Sequence, residues 1–376
     1  MLKYPFTDYP ANPEVDPEHK KLGGMFGNVG LYDVASMHPS SLEAMNFFGK
    51  YTKRFSDIKR ARLAIKHGNL TEAKSVMDGA LAPLLKEGED TDGLAQALKI
   101  VINSVYGLTS ATFPTKFNDA GNGRNNRNLD NKVAKRGALF MILLKHNVQE
   151  LGYTVVHIKT DSIKIADSDD FIQAYVHDFG IHYGYVFEHE ATYDRLCIIN
   201  KSTYVAHGVY GKHAGKWTST GTQLIEPYVF KTLFSKEEVT FGDYCIAKSV
   251  SGGSVIFLDF NEGLPEGEHR YDFVGKVSAF TPVKPGVGGG ELVRTMSDGR
   301  YASVTGAKGW RWMESSLLRE RHKEDWVDKR YFNKLDMEAI EAINLYGSYD
   351  DFVDLSHPYL SPSTDSDEWR RAHATV

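Results

Sequence analysis

Cysteine is scarce in this chain of 376 residues, which has only Cys197 and Cys245. Two isolated cysteines give neither the spacing of a zinc site nor a disulfide framework, and this usage fits a reducing cytoplasm. The sequence also lacks an apolar run close to the ~20 residues that span a membrane, and it opens without a charged-then-apolar leader. We therefore expect a cytoplasmic protein with no membrane partner.

An excess of positive charge is missing as well, because the formal net charge is −5. This balance argues against a histone-like protein that coats DNA nonspecifically, but it does not exclude nucleic acid, since local clusters matter more than the sum. Residues 50–66 and 116–136 are such clusters, each rich in Lys and Arg with little Asp. One run of positive charge is usually a solvated helix face. Two runs that flank residues 99–107, whose pattern is described below, favour a polyanionic partner.

The length of the chain predicts two or three domains, and its 41% hydrophobic and 12% aromatic residues are those of a folded protein. Residues 1–20 are polar and rich in proline, which indicates a loose arm. No tandem repeat is visible. From about residue 225 the composition changes, with a glycine-rich loop at 285–290 and helical segments predicted near 310–320 and 334–346.

Alternation of apolar residues predicts a strand that ends in a carboxylate. Over 27–36, Val29, Leu31 and Asp33 share one face, while Tyr32 and Val34 take the other. Proline at position 39 marks the break after the strand. A single Asp at a strand end is usually a turn or cap residue. Asp33 therefore becomes a candidate catalytic residue only in combination with other motifs.

Two helices are predicted next, over 51–67 and from Asp92 onward, as an antiparallel hairpin. In the second, the apolar stripe comprises Leu94, Leu98, Val101, Ile102 and Val105. An ammonium, an amide and a phenol lie on the other side at i, i+4 and i+7, supplied by Lys99, Asn103 and Tyr106. This polar stack needs a polar partner.

A second carboxylate is predicted in a hairpin turn. After a helix over 132–151, residues 153–158 and 162–166 form two apolar strands whose turn displays Lys159, Thr160 and Asp161. Further strands are predicted near 185–190 and 195–206. One antiparallel sheet could bring Asp33 and Asp161 together, and hard oxygen ligands suit two Mg²⁺ ions that assist phosphoryl transfer, with Mn²⁺ as a substitute.

These segments together resemble the family B DNA polymerases, particularly the phage-type replicative enzymes. Residues 33–40 resemble the motif D-x-x-S-L-Y-P-S, 99–107 match K-x-x-x-N-S-x-Y-G at every fixed position, and 157–162 resemble Y-x-D-T-D-S. Residues 201–204 are similar to K-K-R-Y, and 23–24 to the Gly-Gly segment between exonuclease and polymerase. The motifs cover roughly residues 20–230, and their order and spacing are specific.

The resemblance implies an α+β right-hand polymerase with an antiparallel-sheet palm, helical-hairpin fingers and a mixed C-terminal thumb. The implied division is an N-terminal arm at 1–26, palm at 27–50, fingers at 51–108, palm again at 109–224 and thumb at 225–376.

The resemblance also implies roles for individual residues. Asp33 and Asp161 become the catalytic metal ligands, helped by the Val34 carbonyl. Nucleotide contacts fall to Arg62, Lys66, Lys99, Asn103, Tyr106, Ser36, Met37 and His38. Lys201, Tyr204 and Gly107 become DNA contacts, and Glu190 is similar to an acidic residue near the metals.

Three departures from the family pattern stand out. Lys159 occupies the position of the first Asp in D-T-D, where an ammonium partly offsets carboxylate repulsion but also competes with metal. His38 replaces the tyrosine that rejects a ribose 2′-hydroxyl. Only 32 residues precede Asp33, too few for an editing exonuclease. A separate exonuclease chain is the explanation that we expect, alongside other replisome partners.

The leading hypothesis is therefore template-directed DNA synthesis from deoxynucleoside triphosphates on a primer-template during replication, with phage as the expected origin. The alternative is a catalytically inert polymerase-like subunit that binds primer-template or scaffolds a replisome, which Lys159 supports. A third, a metal-dependent nuclease, lacks the clustered Asp, Glu and His that hydrolysis needs.

Overall fold

The computed structural model describes residues 23–86, 91–110, 132–262, 264–265 and 268–356. Most of the predicted arm and residues 116–131 of the second basic cluster lie outside them. The α-helices of the N-terminal part are α1 Met37–Ala44, α2 Thr52–Lys66, α3 Leu70–Ser75, α4 Asp92–Ser110, α5 Lys132–Glu150 and α6 Asp170–His182. In the C-terminal part they are α7 Thr222–Ile225, α8 Pro227–Phe230, α9 Ser315–Glu320, α10 Lys329–Asn344 and α11 Tyr349–Val353. No helix among the described residues is long and apolar enough to cross a membrane.

A six-stranded antiparallel sheet organises the N-terminal half, in the order β2-β3-β1-β4-β5-β6. Its strands are β1 Gly24–Val34, β2 Thr154–Lys159, β3 Ser162–Ala166, β4 Phe187–Asn200, β5 Thr203–Gly211 and β6 Trp217–Thr220. Strand β1 lies inside the sheet because it pairs with both β3 and β4.

The two faces of β1 have the predicted alternation. Tyr32 and Val34 pack into a core with residues of α5 and α6, whereas Val29 and Leu31 belong to a separate core on the other face. The helices α5 and α6 therefore cover one face of the sheet, and the Asp33 side projects from the other. The predicted helices at 51–67 and 132–151 are confirmed as α2 and α5, and the β2–β3 hairpin is confirmed too.

The apolar stripe of α4 is confirmed in part. Ile102 is buried against α1, α2 and α5 residues, and Val105 packs beside it, while Leu94 and Leu98 pack on the neighbouring α2–α3 core. Val101, predicted to be buried, is half exposed. Its position one residue from Ile102 turns it about 100° around the helix, away from the contact.

The prediction of separate strands near 185–190 and 195–206 is wrong, because β4 runs without a break from Phe187 to Asn200. Asp194 lies between the two predicted strands, and Arg195 begins the second of them. In the structure Arg195 is buried, and its guanidinium donates to the backbone carbonyls of Phe352 and Asp354. Irregularities in register around these residues accommodate them inside the strand.

The C-terminal half adds two smaller antiparallel sheets, ordered β13-β10-β7 and β12-β11-β8-β9. Their strands are β7 Ile246–Ser249, β8 Ile256–Asp259, β9 Tyr271–Gly275, β10 Val277–Val283, β11 Glu291–Thr295, β12 Tyr301–Ser303 and β13 Arg311–Glu314. The predicted helix at 310–320 is wrong in its first half, which forms β13. The helix predicted at 334–346 begins earlier, where the Asp328 side chain accepts from the N–H of Arg330. The protein is thus α+β with antiparallel sheets.

Candidate active site

Strand pairing brings the two predicted catalytic carboxylates to neighbouring positions. Asp33 lies opposite Ser162 across β1 and β3, and the Val34 N–H donates to the Asp161 carbonyl oxygen at 2.8 Å. On its other side, Asp33 lies opposite Glu188 of β4. The sheet therefore gathers acidic residues from β1, β4 and the β2–β3 turn at one place.

The pKa values show that these carboxylates are crowded. Burial, together with the negative charges of Asp161, Glu190 and Glu188, raises the pKa of Asp33 to about 7, while Lys212 opposes the rise. Burial also raises the pKa of Asp161, with Glu190 adding to it. Half-buried carboxylates that repel one another favour a bound cation.

The donor set fits a cation that keeps other ligands. Among the described residues, no three Asp, Glu, His or Cys side chains converge as a ready metal cage. Glu190 forms an ion pair with Lys212, which leaves Asp33 and Asp161 as the candidate ligands. Mg²⁺ is commonly held by one or two carboxylates, with water and substrate phosphates as its remaining ligands.

The β2–β3 turn that carries Asp161 contains a threonine in a backbone conformation uncommon for threonine. Thr160 has a positive φ of 55°, the Asp161 N–H donates to the Lys159 carbonyl at 2.8 Å, and the Ser162 hydroxyl donates to the same carbonyl at 3.3 Å. Lys159 itself is exposed at the end of β2. The turn thus holds the carboxylate and leaves the unusual lysine in solvent.

The residues after Asp33 form a second part of the site. Ser36 has a φ of 63°, uncommon for serine, and caps the start of α1. Its hydroxyl accepts a hydrogen bond from the Arg62 guanidinium at 3.1 Å. Met37 is buried against Gly137 of α5, where a Cβ would lie 2.8 Å from the Met37 sulfur. Arg62, Ser36 and Met37 are thereby fixed beside the carboxylates.

His38 and Tyr106, both predicted to contact nucleotide, stack on each other. Their ring centroids lie 3.8 Å apart with an angle of 6° between the planes. Burial lowers the pKa of His38, so the ring is neutral at pH 7, and its buried Nδ1 has no hydrogen-bond partner in the described structure. The contact joins α4 to α1 and forms a flat aromatic platform.

The other predicted nucleotide ligands are arranged differently. Lys66 forms an ion pair with Glu188, at 2.8 Å between Nζ and Oε2. Lys99 and Asn103 are exposed on α4. Gly107 lies on the same helix, where a Cβ would meet nothing within 4 Å. The structure brings Arg62 to Ser36 and His38 to Tyr106, whereas Lys66 pairs with Glu188.

Lys201 lies in the turn between β4 and β5, Tyr204 lies at the start of β5, and two residues missed by the sequence reasoning contact them. His157 Nε2 donates to the Lys201 carbonyl at 3.1 Å. Lys164 Nζ lies 3.4 Å from His157 Nδ1 and 4.6 Å from the centre of the Tyr204 ring. A Lys inside an apolar β-strand, at Ile-Lys-Ile, is the sequence signal for this group.

Glu188 and Lys212 were also missed. The alternation Glu188-His189-Glu190 places both glutamates on one strand, yet only the pairing of β4 with β1 shows that Glu188 lies opposite Asp33. Burial alone raises the pKa of Glu188, but its hydrogen bond to Lys66 and the charges of Lys66 and His67 outweigh burial and lower it. Glu188 is therefore ionised at neutral pH.

Neither a protein-family model nor a curated protein matches the sequence. Among solved structures, the chain is similar to the family B DNA polymerase from the hyperthermophilic archaeon Pyrobaculum calidifontis, with 13% identity and a TM-score of 0.43. The match covers 90% of this chain and 46% of that one, so the chain spans less than half of that polymerase's length. A TM-score below 0.5 does not establish a shared fold. The function proposed below is therefore inferred from the residues of the site.

Proposed function

We propose that the chain catalyses template-directed DNA synthesis, by transfer of a nucleotidyl group from a deoxynucleoside triphosphate to a primer 3′-hydroxyl. The observation that carries this proposal is the meeting of Asp33 and Asp161 through the pairing of β1 with the β2–β3 hairpin. The two residues are 128 positions apart, and each belongs to a motif typical of family B polymerases.

Asp33 and Asp161, with the Val34 carbonyl, would hold two Mg²⁺ ions. Bound there, they would lower the pKa of the primer hydroxyl and neutralise charge on the leaving phosphate. The chain's own contribution is chiefly positioning. Arg62, as a planar fork, and Lys99, as a point charge, meet the triphosphate, and the His38–Tyr106 stack offers a surface to the nucleotide sugar and base.

Lys201 and Tyr204 are assigned to the primer terminus; His157 contacts the Lys201 carbonyl and Lys164 the Tyr204 ring. The proposal also assigns the six-stranded sheet with α5 and α6 to the palm, residues 51–108 to the fingers and 225–376 to the thumb. Contacts to backbone phosphates should dominate DNA binding, which makes binding sensitive to salt and nearly independent of sequence. Replication of the phage type is the setting that the motifs favour.

A second candidate is a polymerase-like subunit that binds primer-template without catalysis. The observation that favours it is Lys159 in place of a family Asp, because an ammonium that turned toward the site would compete with a metal ion. The retained carboxylate pair and the stacked His38–Tyr106 platform favour the catalytic reading.

Primer extension on a recessed template with Mg²⁺ and four deoxynucleotides tests the assignment. The wild-type protein should extend the primer, and Asp161→Ala should lose extension while retaining primer-template binding. Asp178→Ala, which removes a carboxylate that is 83% exposed on α6, is the matched control and should extend normally. Extension by Asp161→Ala would contradict the metal assignment. Binding without extension by the wild type would favour the inert subunit.

A further inference from the structure

Lys66 and Arg62 lie one turn apart on α2, so their side chains project from the same side of the helix. Arg62 points to Ser36, at 3.1 Å, next to the first carboxylate. Lys66 instead contacts Glu188 of β4, at 2.8 Å. Arg62 and Lys66, which the family resemblance makes nucleotide contacts, are thus held by different groups.

Glu188 lies in the site itself, because it pairs with Asp33 across β1 and β4. Its second oxygen is buried, and the neighbouring His67 Nε2 lies 3.3 Å from it. Glu188 thus binds the C-terminal end of α2. Its negative charge lies beside Asp33, where the proposed function puts the nucleotide phosphates. It would also repel those phosphates.

We propose that Glu188 competes with the incoming triphosphate for the Lys66 ammonium, so that nucleotide binding requires Lys66 to leave Glu188. This inference rests on the proposed function and adds a residue that sets nucleotide affinity without being a ligand. The exchange is feasible because Lys66 is 45% and Glu188 27% exposed, and exposed ion pairs are weak. A triphosphate carries several charges against the single charge of the carboxylate.

A merely structural ion pair makes the opposite prediction. If the contact only tethers α2 to the sheet, its loss loosens Arg62 and weakens nucleotide binding. If Glu188 competes for Lys66, its neutralisation frees the lysine, removes a repelling charge and tightens nucleotide binding.

The test is equilibrium binding of radiolabelled dATP to the protein on a primer-template whose primer ends in a dideoxynucleotide and whose next template base is thymine. Chemistry is blocked, so binding is read without catalysis. Glu188→Gln should bind dATP about two- to fivefold more tightly than the wild type at low salt, the range expected for releasing an exposed pair. Glu43→Gln breaks the Lys59–Glu43 ion pair between α1 and α2 and should leave dATP binding unchanged.

Lys66→Gln should bind dATP more weakly, and adding Glu188→Gln to it should have a much smaller effect than in the wild type. Glu188→Asp withdraws the carboxylate by one methylene and should tighten binding to a lesser extent, which keeps the test open if Glu188→Gln folds poorly. Unchanged or weaker binding in both Glu188 variants overturns the proposal, as does an equal gain without Lys66.

Primer extension by the wild type, run in parallel, reports on the proposed function separately. Tighter dATP binding by Glu188→Gln without any extension would uphold the competition and contradict catalysis. Extension with no gain in dATP binding would do the reverse. A wild-type protein that binds no dATP would contradict both.

Discussion

Among single residues, Lys164 is unusual because it is a charged side chain buried in a β-sheet. It is buried in β3, and within the described part of the chain no carboxylate forms an ion pair with it. Burial, together with the positive charges of Lys159 and Lys212, lowers its pKa to about 8 against the opposing charges of Asp33 and Glu190. Its contacts are the His157 ring and the face of Tyr204. A buried cation in a sheet costs stability.

Replacement of Lys164 by Met should make the protein more stable at pH 7, and the gain should shrink as the pH rises from 8 toward 10.5. In that window the unfolded chain binds a proton that the folded chain has lost, so wild-type stability rises with pH. The gain should shrink by up to about 3 kcal/mol, the equivalent of the pKa shift. Urea unfolding of both proteins at pH 7.5 and 10 measures it. A gain that stays constant with pH would contradict the account.

At the scale of elements, Glu190 is positioned by a close approach between β4 and β5. Gly211 has a φ of +75°, and a Cβ there would lie 2.0 Å from the Glu190 carbonyl oxygen. That carbonyl also accepts from the Lys212 N–H at 3.1 Å. The glycine therefore permits the approach that lets Lys212 pair with Glu190.

Gly211→Ala should lower the free energy of unfolding by about 2 kcal/mol or more, because it combines a disfavoured φ with a clash against backbone. Gly215→Ala is the matched control, since Gly215 also has a positive φ, +69°, but nothing within 4 Å of its Cβ position. Thermal unfolding of the two variants separates strain from contact. Equal losses would show that the close approach contributes nothing.

The elements that the sequence predicts best are those with a regular pattern. The alternation around Asp33 gives β1 its two faces, and the charged, periodic stretch at 51–67 gives α2. The burial of Arg195 inside β4 could not be predicted from local pattern. Its partners, the carbonyls of Phe352 and Asp354, are over 150 residues away in the sequence. Residues 311–314 are predicted as helix but form β13, because the strand they pair with, β10, is not adjacent in the sequence.

The candidate site divides in the same way. Asp33, Asp161 and the 99–107 motif are recognisable from local spacing, whereas Glu188 and Lys164 acquire meaning only through strand pairing. The ion pair of Lys66 with Glu188 joins residues 122 positions apart, and nothing in the local sequence marks it. The assigned roles of the predicted ligands and of the metal ions stay predictions.

At the scale of the whole molecule, the proposed palm and thumb share a core. Phe352 and Ile343 of the C-terminal helices pack with Met25, Cys197 and Val205 of the large sheet. Arg195 adds hydrogen bonds to the end of α11. The sheet and the C-terminal helices should therefore unfold together.

Phe352→Ala should lower the free energy of unfolding by about 3–5 kcal/mol, because the ring is fully buried and its removal leaves a cavity. Leu355→Ala, at a side chain that is 48% exposed, should change it by less than about 0.5 kcal/mol. Denaturant unfolding followed by the intrinsic fluorescence of the protein's tryptophans measures both, since one of them, Trp217, contacts Phe352. Two separate transitions in the wild type would contradict the shared core.

The central claim is that the Asp33–Asp161 pair directs template-dependent nucleotidyl transfer. The most direct measurement is addition of a single nucleotide to a recessed primer, with each deoxynucleotide supplied alone, in Mg²⁺ and in excess chelator. The account predicts that the nucleotide complementary to the template base is added in Mg²⁺ and that chelator abolishes the addition. Addition that ignores the template base, or a bound primer that is never extended, would contradict it.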